Sequence, residues 1–285
     1  MPNFAAQLRN DITGRAAQYA QQEGIRFRRS HHEYGSVVFL PEADARSHGN
    51  FHPASYRAVL RRTIWRKRLA KVLTVNDRLR HIDDDRRLCE LDSCSSSDAL
   101  LMNVFCHPSV RRIPAVLGML GLNEASVPIF GWHARVPLLD GNVDRTEVDM
   151  KFGNLLVEAK LTETSFECCP IERMRQYAGF NDVFRLSDLP RLRRQYQCYQ
   201  LLRNVLAANA HNASFCLLTD ARRSDLIESW FQVLGAIRPL DLRTRCKLLT
   251  WQELASALPT ELQRFLDQKY AISAAVDDSG AAVGY

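Results

Sequence analysis

The chain has 285 residues, of which 46% are hydrophobic and 25% charged, and its formal net charge is +6. This is the composition of a globular protein with room for one large domain, or one domain with an appendage, and it argues against general disorder. The charge favours an anionic partner, nucleic acid before an acidic membrane surface. Because no apolar run approaches the roughly 20 residues of a membrane span, we expect a cytoplasmic protein without membrane association.

The side chains that usually mark metal and cofactor sites are scattered along the sequence. The eight cysteines form no CxxC pair and no short run with histidine, so the spacing of zinc and iron–sulfur sites is absent. His31, His32 and His107 also have no partners at metal-ligand spacing. A glycine-rich phosphate loop and a Ser/His/Asp arrangement are absent as well, so nothing supports ATP use or acyl hydrolysis.

The N-terminal region is predicted to be basic and mostly helical. Phe4 to Gln22 has an amphipathic helical pattern, and Ile25 to Leu40 has the character of strand or loop. A polar connector, His81 to Asp98, then marks a domain boundary. The predicted segments are a basic N-terminal region, which is a candidate DNA-contacting module (1–90), a core (91–258) and a C-terminal helix end with a flexible tail (259–285).

Within the N-terminal region, the stretch SYRAVLRRTIWRKRLAKV (55–72) carries many cations and no acid. On a single helix, Tyr56, Leu60 and Ile64 share an apolar side, and the cations occupy the remaining arc. Two interpretations stay open, namely the solvated face of a packed helix and a helix that contacts phosphates. The cations that we single out for phosphate contact are Arg61, Arg62, Arg66, Lys67 and Arg68.

The core alternates predicted helices and strands. Its elements, in chain order, are a helix from Asp98 capped by Ser97, a helix Ser109–Leu120, a strand Ile129–Leu138, a strand pair within Thr146–Glu163, a long loop Thr164–Pro190, a helix Arg191–Ala210, a buried strand Ser214–Thr219, a helix Leu226–Ile237, a strand Lys247–Thr250 and a helix from Trp251. A loop as long as residues 164–190 usually has a function.

The strand pair has the sequence TEVDMKFGNLLVEAKLTE (146–163), and its Gly-Asn pair is a signal for a two-residue hairpin turn. Counting outward from the turn places Asp149 opposite Glu158 and Glu147 opposite Lys160. Side chains alternate along a strand, so these four polar groups share one face and the apolar residues between them take the other. Opposed residues have Cβ atoms about 4.5–5.5 Å apart, and like charges at that distance are destabilising.

This face therefore needs a cation or a bound proton. Lys160 supplies one positive charge against three carboxylates, so a divalent ion with a preference for oxygen ligands, Mg²⁺, is the simpler solution, and Mn²⁺ can substitute for it. The alternative is a solvent-exposed sheet face on which water screens the charges.

The pattern of Asp149 followed by Glu158-Ala159-Lys160 resembles the D…(D/E)xK signature of the PD-(D/E)XK nuclease superfamily, with its restriction-endonuclease-like fold. The order of elements over residues 91–220 is similar too, although Val148 stands where many members have proline. The resemblance implies an α/β (α+β) fold with a central mixed β-sheet flanked by helices. Gln195 and Tyr199, in the predicted long helix, resemble the QxxxY motif of some members.

The resemblance also implies a function, a Mg²⁺-dependent nuclease that hydrolyses phosphodiester bonds. Asp149, Glu158 and the backbone carbonyl of Ala159 would bind the metal, and Lys160 would orient water or stabilise charge on the phosphate. Gln195 would bind a metal-bound water or the DNA backbone. Further candidates for supporting or nucleic-acid contacts are Glu147, Tyr199, Arg191 and Arg194.

DNA is the expected partner, and the sequence leaves RNA open as a substrate. Because duplex cutting is often done by dimers, a homodimer is one expected arrangement. The alternative function is a catalytically inactive nucleic-acid-binding or assembly protein on the same fold. The pair of opposed carboxylates favours the enzyme, since an inactive site has no reason to keep them.

Overall fold

In a computed structural model of the chain, residues 3–29, 36–40, 46–72 and 89–274 are described, together with the backbone of four short strands between 74 and 87. His31, His32 and most of the predicted flexible tail lie outside the described residues. The chain forms two compact units, Met1–Ala125 with Trp251–Tyr285, and Ser126–Thr250. The boundaries of these units differ from those of the predicted segments 1–90, 91–258 and 259–285. The three segments stay a prediction.

The N-terminal part of the first unit is mostly helical. Its elements are α1 (Phe4–Gln22), β1 (Phe27–Arg29), β2 (Val37–Phe39), α2 (Pro53–Arg61), α3 (Thr63–Arg66), β3 (Thr74–Val75), β4 (Arg78–Leu79), β5 (His81–Asp83), β6 (Arg86–Arg87), α4 (Ser97–Phe105) and α5 (Pro114–Leu120), with 3₁₀ helices at Lys67–Ala70, Glu90–Asp92 and Val110–Arg112. Helix α1 has its predicted bounds. Helix α4 is capped by Ser96, whose hydroxyl accepts a hydrogen bond from the amide of Ala99 (3.1 Å), rather than by Ser97.

The predicted single helix over Ser55–Val72 is wrong, because the chain breaks at Arg62. Arg62 has an extended backbone (φ −115°, ψ 114°) that ends α2 and begins α3. The break resets the helical phase, so Ile64 is 55% exposed and Trp65, which was not in the predicted stripe, is 1% exposed. Burial of the larger indole removes more apolar surface from water than burial of Ile64 would.

The second unit contains a mixed β-sheet and its helices. Its elements are β7 (Ile129–His133), β8 (Val136–Pro137), β9 (Val143–Asp144), β10 (Glu147–Phe152), β11 (Leu155–Ala159), β12 (Cys168–Pro170), α6 (Ile171–Met174), α7 (Phe180–Val183), β13 (Arg191–Leu192), β14 (Gln195–Gln197), α8 (Tyr199–Ala210), β15 (Ser214–Thr219), α9 (Ser224–Ala236), α10 (Leu240–Thr244) and β16 (Cys246–Thr250). The buried strand β15 has its predicted bounds.

The main sheet of this unit has the order β16-β15-β11-β10-β7. Strands β11, β15 and β16 are parallel, and β10 is antiparallel to both of its neighbours. One face packs on α8 and α9, where Leu156, Phe215 and Leu217 meet the helices in one apolar core. This is the predicted α/β architecture, a central mixed sheet flanked by helices.

The predicted helix Arg191–Ala210 is wrong in its first half. Only Tyr199–Ala210 is helical, and the preceding residues form β13 and β14. Strand β14 pairs with β12 on one side and with β13 on the other, in a small separate sheet. Arg193 (φ 53°) and Cys198 (φ 61°) have left-handed backbone conformations, which end any right-handed helix. The helical pattern of the sequence is outweighed here by pairing with a strand more than twenty residues earlier.

The chain ends its described part with α11 (Trp251–Ala255) and α12 (Thr260–Tyr270). Helix α12 packs on α1, with the rings of Tyr19 and Phe265 edge to face at 5.8 Å. None of the helices in the described ranges has both the length and the apolarity needed to cross a membrane.

Helix α12 places Lys269 in the interior of the first unit, fully buried. Its ammonium nitrogen donates hydrogen bonds to Asn50 Oδ1 (2.5 Å) and Gly49 O (3.4 Å), and it lies 4.4 Å from the ring centre of Phe39. Burial lowers the pKa of Lys269 well below its ordinary value of 10.5, and the opposing effect of Cys94 is smaller. Lys269 is therefore a site at which the folded chain resists protonation.

This depressed pKa predicts a pH-dependent contribution to stability. Between the folded pKa and 10.5 the unfolded chain binds a proton that the folded chain does not, so this group adds stability as the pH rises. The variant Lys269→Met has no titrating group at this position and therefore lacks this pH-dependent contribution. We expect the free energy of unfolding of the wild type, relative to that of the variant, to increase by up to about 1.4 kcal/mol per pH unit in this range. Urea denaturation of both proteins at several pH values from neutral to alkaline measures this, and parallel pH profiles would contradict it.

Candidate active site

The hairpin that carries the acidic residues has the predicted register. Phe152 pairs with Leu155, Lys151 with Leu156 and Met150 with Val157, on either side of the Gly-Asn turn. Gly153 has φ 58°, a left-handed conformation that a two-residue hairpin turn requires and that glycine adopts without strain.

Just beyond these pairs, the structure brings Asp149 against strand β11. Asp149 Oδ2 accepts a hydrogen bond from the backbone N–H of Ala159 (2.8 Å). Ala159 directly follows Glu158, so the two carboxylates that the sequence predicts to meet belong to neighbouring segments of adjacent strands. The backbone of Ala159, the third predicted metal ligand, lies between them.

Glu158 and Lys160 form a buried ion pair. Lys160 Nζ lies 2.9 Å from Glu158 Oε1, and the two residues are 5% and 2% exposed. The alternative of a solvent-exposed sheet face is therefore wrong. The sheet is covered there by α8, which the sequence pattern alone did not align with this face.

Helix α8 contributes a residue that the sequence analysis missed, Asn204. This residue is fully buried, and its Nδ2 donates a hydrogen bond to Glu158 Oε2 (2.6 Å). Lys160 and Asn204 therefore hold the two oxygens of one carboxylate in place. One turn earlier on the same helix, Gln200 has a buried Oε1 without a hydrogen-bond partner among the described residues. A polar residue within the apolar helix sequence LLRNVLAA was the available signal for Asn204.

The charge around Lys160 is strongly unbalanced. Burial acts against the ammonium form, but the carboxylates of Glu158, Glu163 and Asp149 outweigh it, so the pKa of Lys160 is raised above its ordinary value. Lys160 is therefore a permanent cation. Three carboxylates and one ammonium leave a local charge of about −2 when all are ionised, which matches the charge of one divalent cation.

Glu163 is part of this environment although it lies beyond the end of β11. Its Oε2 accepts a hydrogen bond from the N–H of Leu161 (2.7 Å), which turns the carboxylate back towards the end of β11. Glu147, by contrast, lies near β7, with its Oε1 4.0 Å from His133 Nε2. Its backbone carbonyl accepts a hydrogen bond from Arg203 of α8 (2.9 Å).

The donor set suits a hard cation. Two carboxylates and a backbone carbonyl are the oxygen ligands that Mg²⁺ accepts, and Mg²⁺ usually keeps several waters besides. Within the described residues, no group of three or more His, Cys, Asp or Glu side chains is placed to hold a metal ion. A metal at this site would therefore depend on Asp149, Glu158 and the main chain of Ala159 together with water.

The residues of the predicted QxxxY motif do not share a helix face. Gln195 lies on β14 with an exposed side chain, whereas Tyr199 is buried at the start of α8. The Tyr199 hydroxyl is 2.8 Å from that of Tyr177 and donates to Asp144 Oδ2 (3.5 Å). Residues 195–197 are extended and Cys198 has a left-handed backbone, so the side chains of Gln195 and Tyr199 do not project from one helix face.

The predicted phosphate-contacting arginines fall in different places. Arg191 is exposed on β13 and lies over the ring of Tyr196 (4.8 Å), and Arg194 is exposed between β13 and β14. In the first unit, Arg68 donates to Asp98 Oδ2 (2.7 Å) in a nearly buried ion pair. The other four cations that the sequence analysis singled out in residues 55–72, Arg61, Arg62, Arg66 and Lys67, have exposed side chains.

Replacement of Asn204 with Asp tests the environment of Glu158. The introduced carboxyl group would face Glu158 at hydrogen-bond distance, and one of the two must then hold a proton. The folded variant thus binds more protons than its unfolded chain, so its stability falls as the pH rises above the ordinary carboxyl pKa.

We expect Asn204→Asp to be destabilised by about 3 kcal/mol at pH 7 and to recover as the pH falls towards about 4. The control Asn209→Asp makes the same change at an exposed position of α8. Urea denaturation at steps of about one pH unit between about pH 4 and pH 8 gives the free energy of unfolding of both variants as a function of pH. If the two variants had the same pH profile, the carboxylate of Glu158 would not face Asn204 in solution.

Comparison with known proteins gives one match. A family model described as restriction endonuclease associating with ARP matches residues 13–271. No curated protein and no solved structure matches the chain. The family match covers most of the chain and includes the sheet that carries Asp149, Glu158 and Lys160. The chain belongs to the family of restriction endonucleases associating with ARP, whose function is of the nuclease type.

Proposed function

We propose that this protein is a Mg²⁺-dependent nuclease that hydrolyses phosphodiester bonds of DNA. The observation that carries the proposal is the contact of Asp149 with Ala159 beside the buried Glu158–Lys160 pair. These residues unite two carboxylates, a main-chain carbonyl and an amine at one end of a hairpin. Their arrangement supports metal-assisted hydrolysis within a family of restriction endonucleases.

Asp149, Glu158 and the carbonyl of Ala159 are the residues that would hold Mg²⁺, with Mn²⁺ as a substitute. When bound, the ion supplies positive charge to the scissile phosphate and lowers the pKa of water. Asn204 holds one oxygen of Glu158, which limits the rotation of the carboxylate (Nδ2 to Oε2, 2.6 Å). Ligands fixed in this way by buried neighbours bind metals more tightly than mobile ones.

Lys160 acts as a cation and a hydrogen-bond donor. The carboxylates around Lys160 raise its pKa, which favours the protonated amine and argues against the role of general base. A protonated amine donates hydrogen bonds to a phosphate oxygen or to the attacking water, and it stabilises negative charge that develops in the transition state. Its burial strengthens that interaction, since water does not screen it.

A nucleic-acid-binding protein without activity is the second candidate. It would have no use for the buried Glu158 and Lys160 beside the half-buried Asp149, because removing these charges from water carries a desolvation penalty. The presence of these charged residues in the chain therefore supports the proposed nuclease activity. From the family description we also infer an association with ARP, which co-purification of the two proteins tests.

Incubation of the purified protein with circular and linear DNA, and with RNA, tests the proposed function. We expect cleavage of DNA with Mg²⁺ or Mn²⁺ and none with EDTA or with Ca²⁺ alone. Cleavage of circular DNA would identify the protein as an endonuclease. Cleavage of RNA but not of DNA would show that RNA, and not DNA, is the substrate. Full DNA binding without cleavage under any of these metals would support the inactive alternative instead.

A further inference from the structure

A second charged feature lies in the first unit, around the indole of Trp65. The guanidinium carbon of Arg62 is 4.9 Å from the centre of that ring, and the guanidinium carbon of Arg111 is 5.8 Å from it. Trp65 is 1% exposed, so it serves as a fixed platform for both arginines. Cation–π contacts of this kind hold a guanidinium in place. The side chain of Arg62 is exposed and that of Arg111 is half-buried.

The local backbone brings the two arginines together. Arg62 has the extended conformation between α2, which ends at Arg61, and α3, so its side chain follows neither helix. Arg111 lies in the 3₁₀ helix Val110–Arg112, which is anchored by the fully buried Val110. Arg112 follows directly with an exposed side chain. Sequence positions about fifty residues apart thereby form one cluster, the Trp65 arginine cluster (Arg62, Arg111 and Arg112).

The charges within this cluster repel each other. Burial lowers the pKa of the Arg111 guanidinium, and the positive charges of Arg62 and Arg112 lower it further, while the Cys106 thiol has a smaller opposite effect. In the same segment, Arg68 is placed quite differently, because it donates to Asp98 at 2.7 Å. Like charges gathered on a rigid platform are destabilising by themselves and are stabilised by a bound anion.

We propose that the Trp65 arginine cluster is a phosphate-binding site that holds the backbone of a nucleic acid. The inference deepens the proposed function and rests on it for the choice of partner. Guanidinium groups match the geometry of phosphate oxygens, and arginines are the usual residues for such contacts. A lipid surface fits less well, because the aromatic residue of the cluster is buried and cannot enter a bilayer.

Binding of a fluorescent DNA duplex in EDTA, at a series of salt concentrations, tests the site without any cleavage. We expect Arg62→Gln/Arg111→Gln to reduce the slope of log Kd against log salt by about 2, and Arg112→Gln to reduce it by about 1. Arg112 is exposed, so its replacement leaves the fold intact. The control Arg29→Gln/Arg264→Gln removes the same charge from exposed positions of the same unit and should keep the wild-type slope.

Several results would overturn the site. These are an unchanged slope in both cluster variants, an equal loss in the control, or no DNA binding by the wild type. In a parallel assay with anionic phosphatidylserine vesicles, weaker vesicle binding by the cluster variants together with unchanged DNA binding would also overturn it. The two proposals fail separately. DNA cleavage by the wild type with unchanged salt slopes in the cluster variants removes the phosphate site and keeps the nuclease, whereas reduced slopes without cleavage keep the site and remove the nuclease.

Discussion

Replacement of Glu158 with Gln is expected to reduce Mg²⁺-dependent DNA cleavage by at least about 10²–10³-fold. Glu158 lies at the centre of the site, since Lys160 and Asn204 each bind one of its carboxylate oxygens. Gln has nearly the same shape, and its carbonyl oxygen still accepts the hydrogen bond from Asn204. The amide lacks the charge that a divalent cation needs, so the variant loses metal affinity. It also removes the ion-pair partner of the buried Lys160, so we expect some loss of stability, limited by the carboxylates of Glu163 and Asp149.

Plasmid cleavage over a range of Mg²⁺ concentrations measures this effect, and circular dichroism with thermal unfolding shows whether the variant folds. Glu228→Gln is the matched control, because it makes the same chemical change at an exposed position of α9 in the same unit. We expect it to cleave like the wild type. Undiminished cleavage by a folded Glu158→Gln protein would remove this carboxylate from the mechanism.

Replacement of Lys160 with Met is expected to have two effects, on catalysis and on stability. Cleavage falls by about 10²-fold or more, because the cation beside the phosphate is lost. Without metal, the variant is also destabilised by about 3–5 kcal/mol, since it leaves the buried Glu158 without its ion-pair partner. The neighbouring carboxylates Asp149 and Glu163 then add to the repulsion.

This variant has a further consequence that does not depend on activity. Loss of Lys160 makes the local charge more negative, so Mg²⁺ or Ca²⁺ should raise the Tm of the variant more than that of the wild type. Lys151→Met is the control, because Lys151 lies on the same hairpin over the ring of Trp132 (4.3 Å) and is partly exposed. A variant with wild-type stability and no greater response to divalent ions would show that the carboxylates do not surround Lys160.

The features that could be predicted from the sequence are local ones. A two-residue turn at Gly153 determines the register of the strands on both sides, and alternation then assigns each side chain to a face. For that reason the pairing of Met150 with Val157 and the proximity of Asp149 to the segment after Glu158 follow from counting. Strand β15 was predicted with its bounds because a continuous apolar run is typical of a buried parallel strand.

The features that were wrong or missed depend on contacts between distant parts of the chain. Gln195 lies in a strand because β14 pairs with β12, and this pairing is absent from any local pattern. The break at Arg62 is decided by the burial of Trp65. Asn204 reaches Glu158 only because α8 packs across the sheet, and no spacing in the sequence links residues 46 positions apart.

Crystals of the protein grown with Mn²⁺, and measured with anomalous scattering at the manganese edge, test the central claim most directly. We expect an anomalous peak coordinated by carboxylate oxygens of Asp149 and Glu158 and by the carbonyl oxygen of Ala159, with Lys160 beside it. A peak bound elsewhere, or no peak at this site at millimolar Mn²⁺, would contradict the claim that these two carboxylates form a metal site.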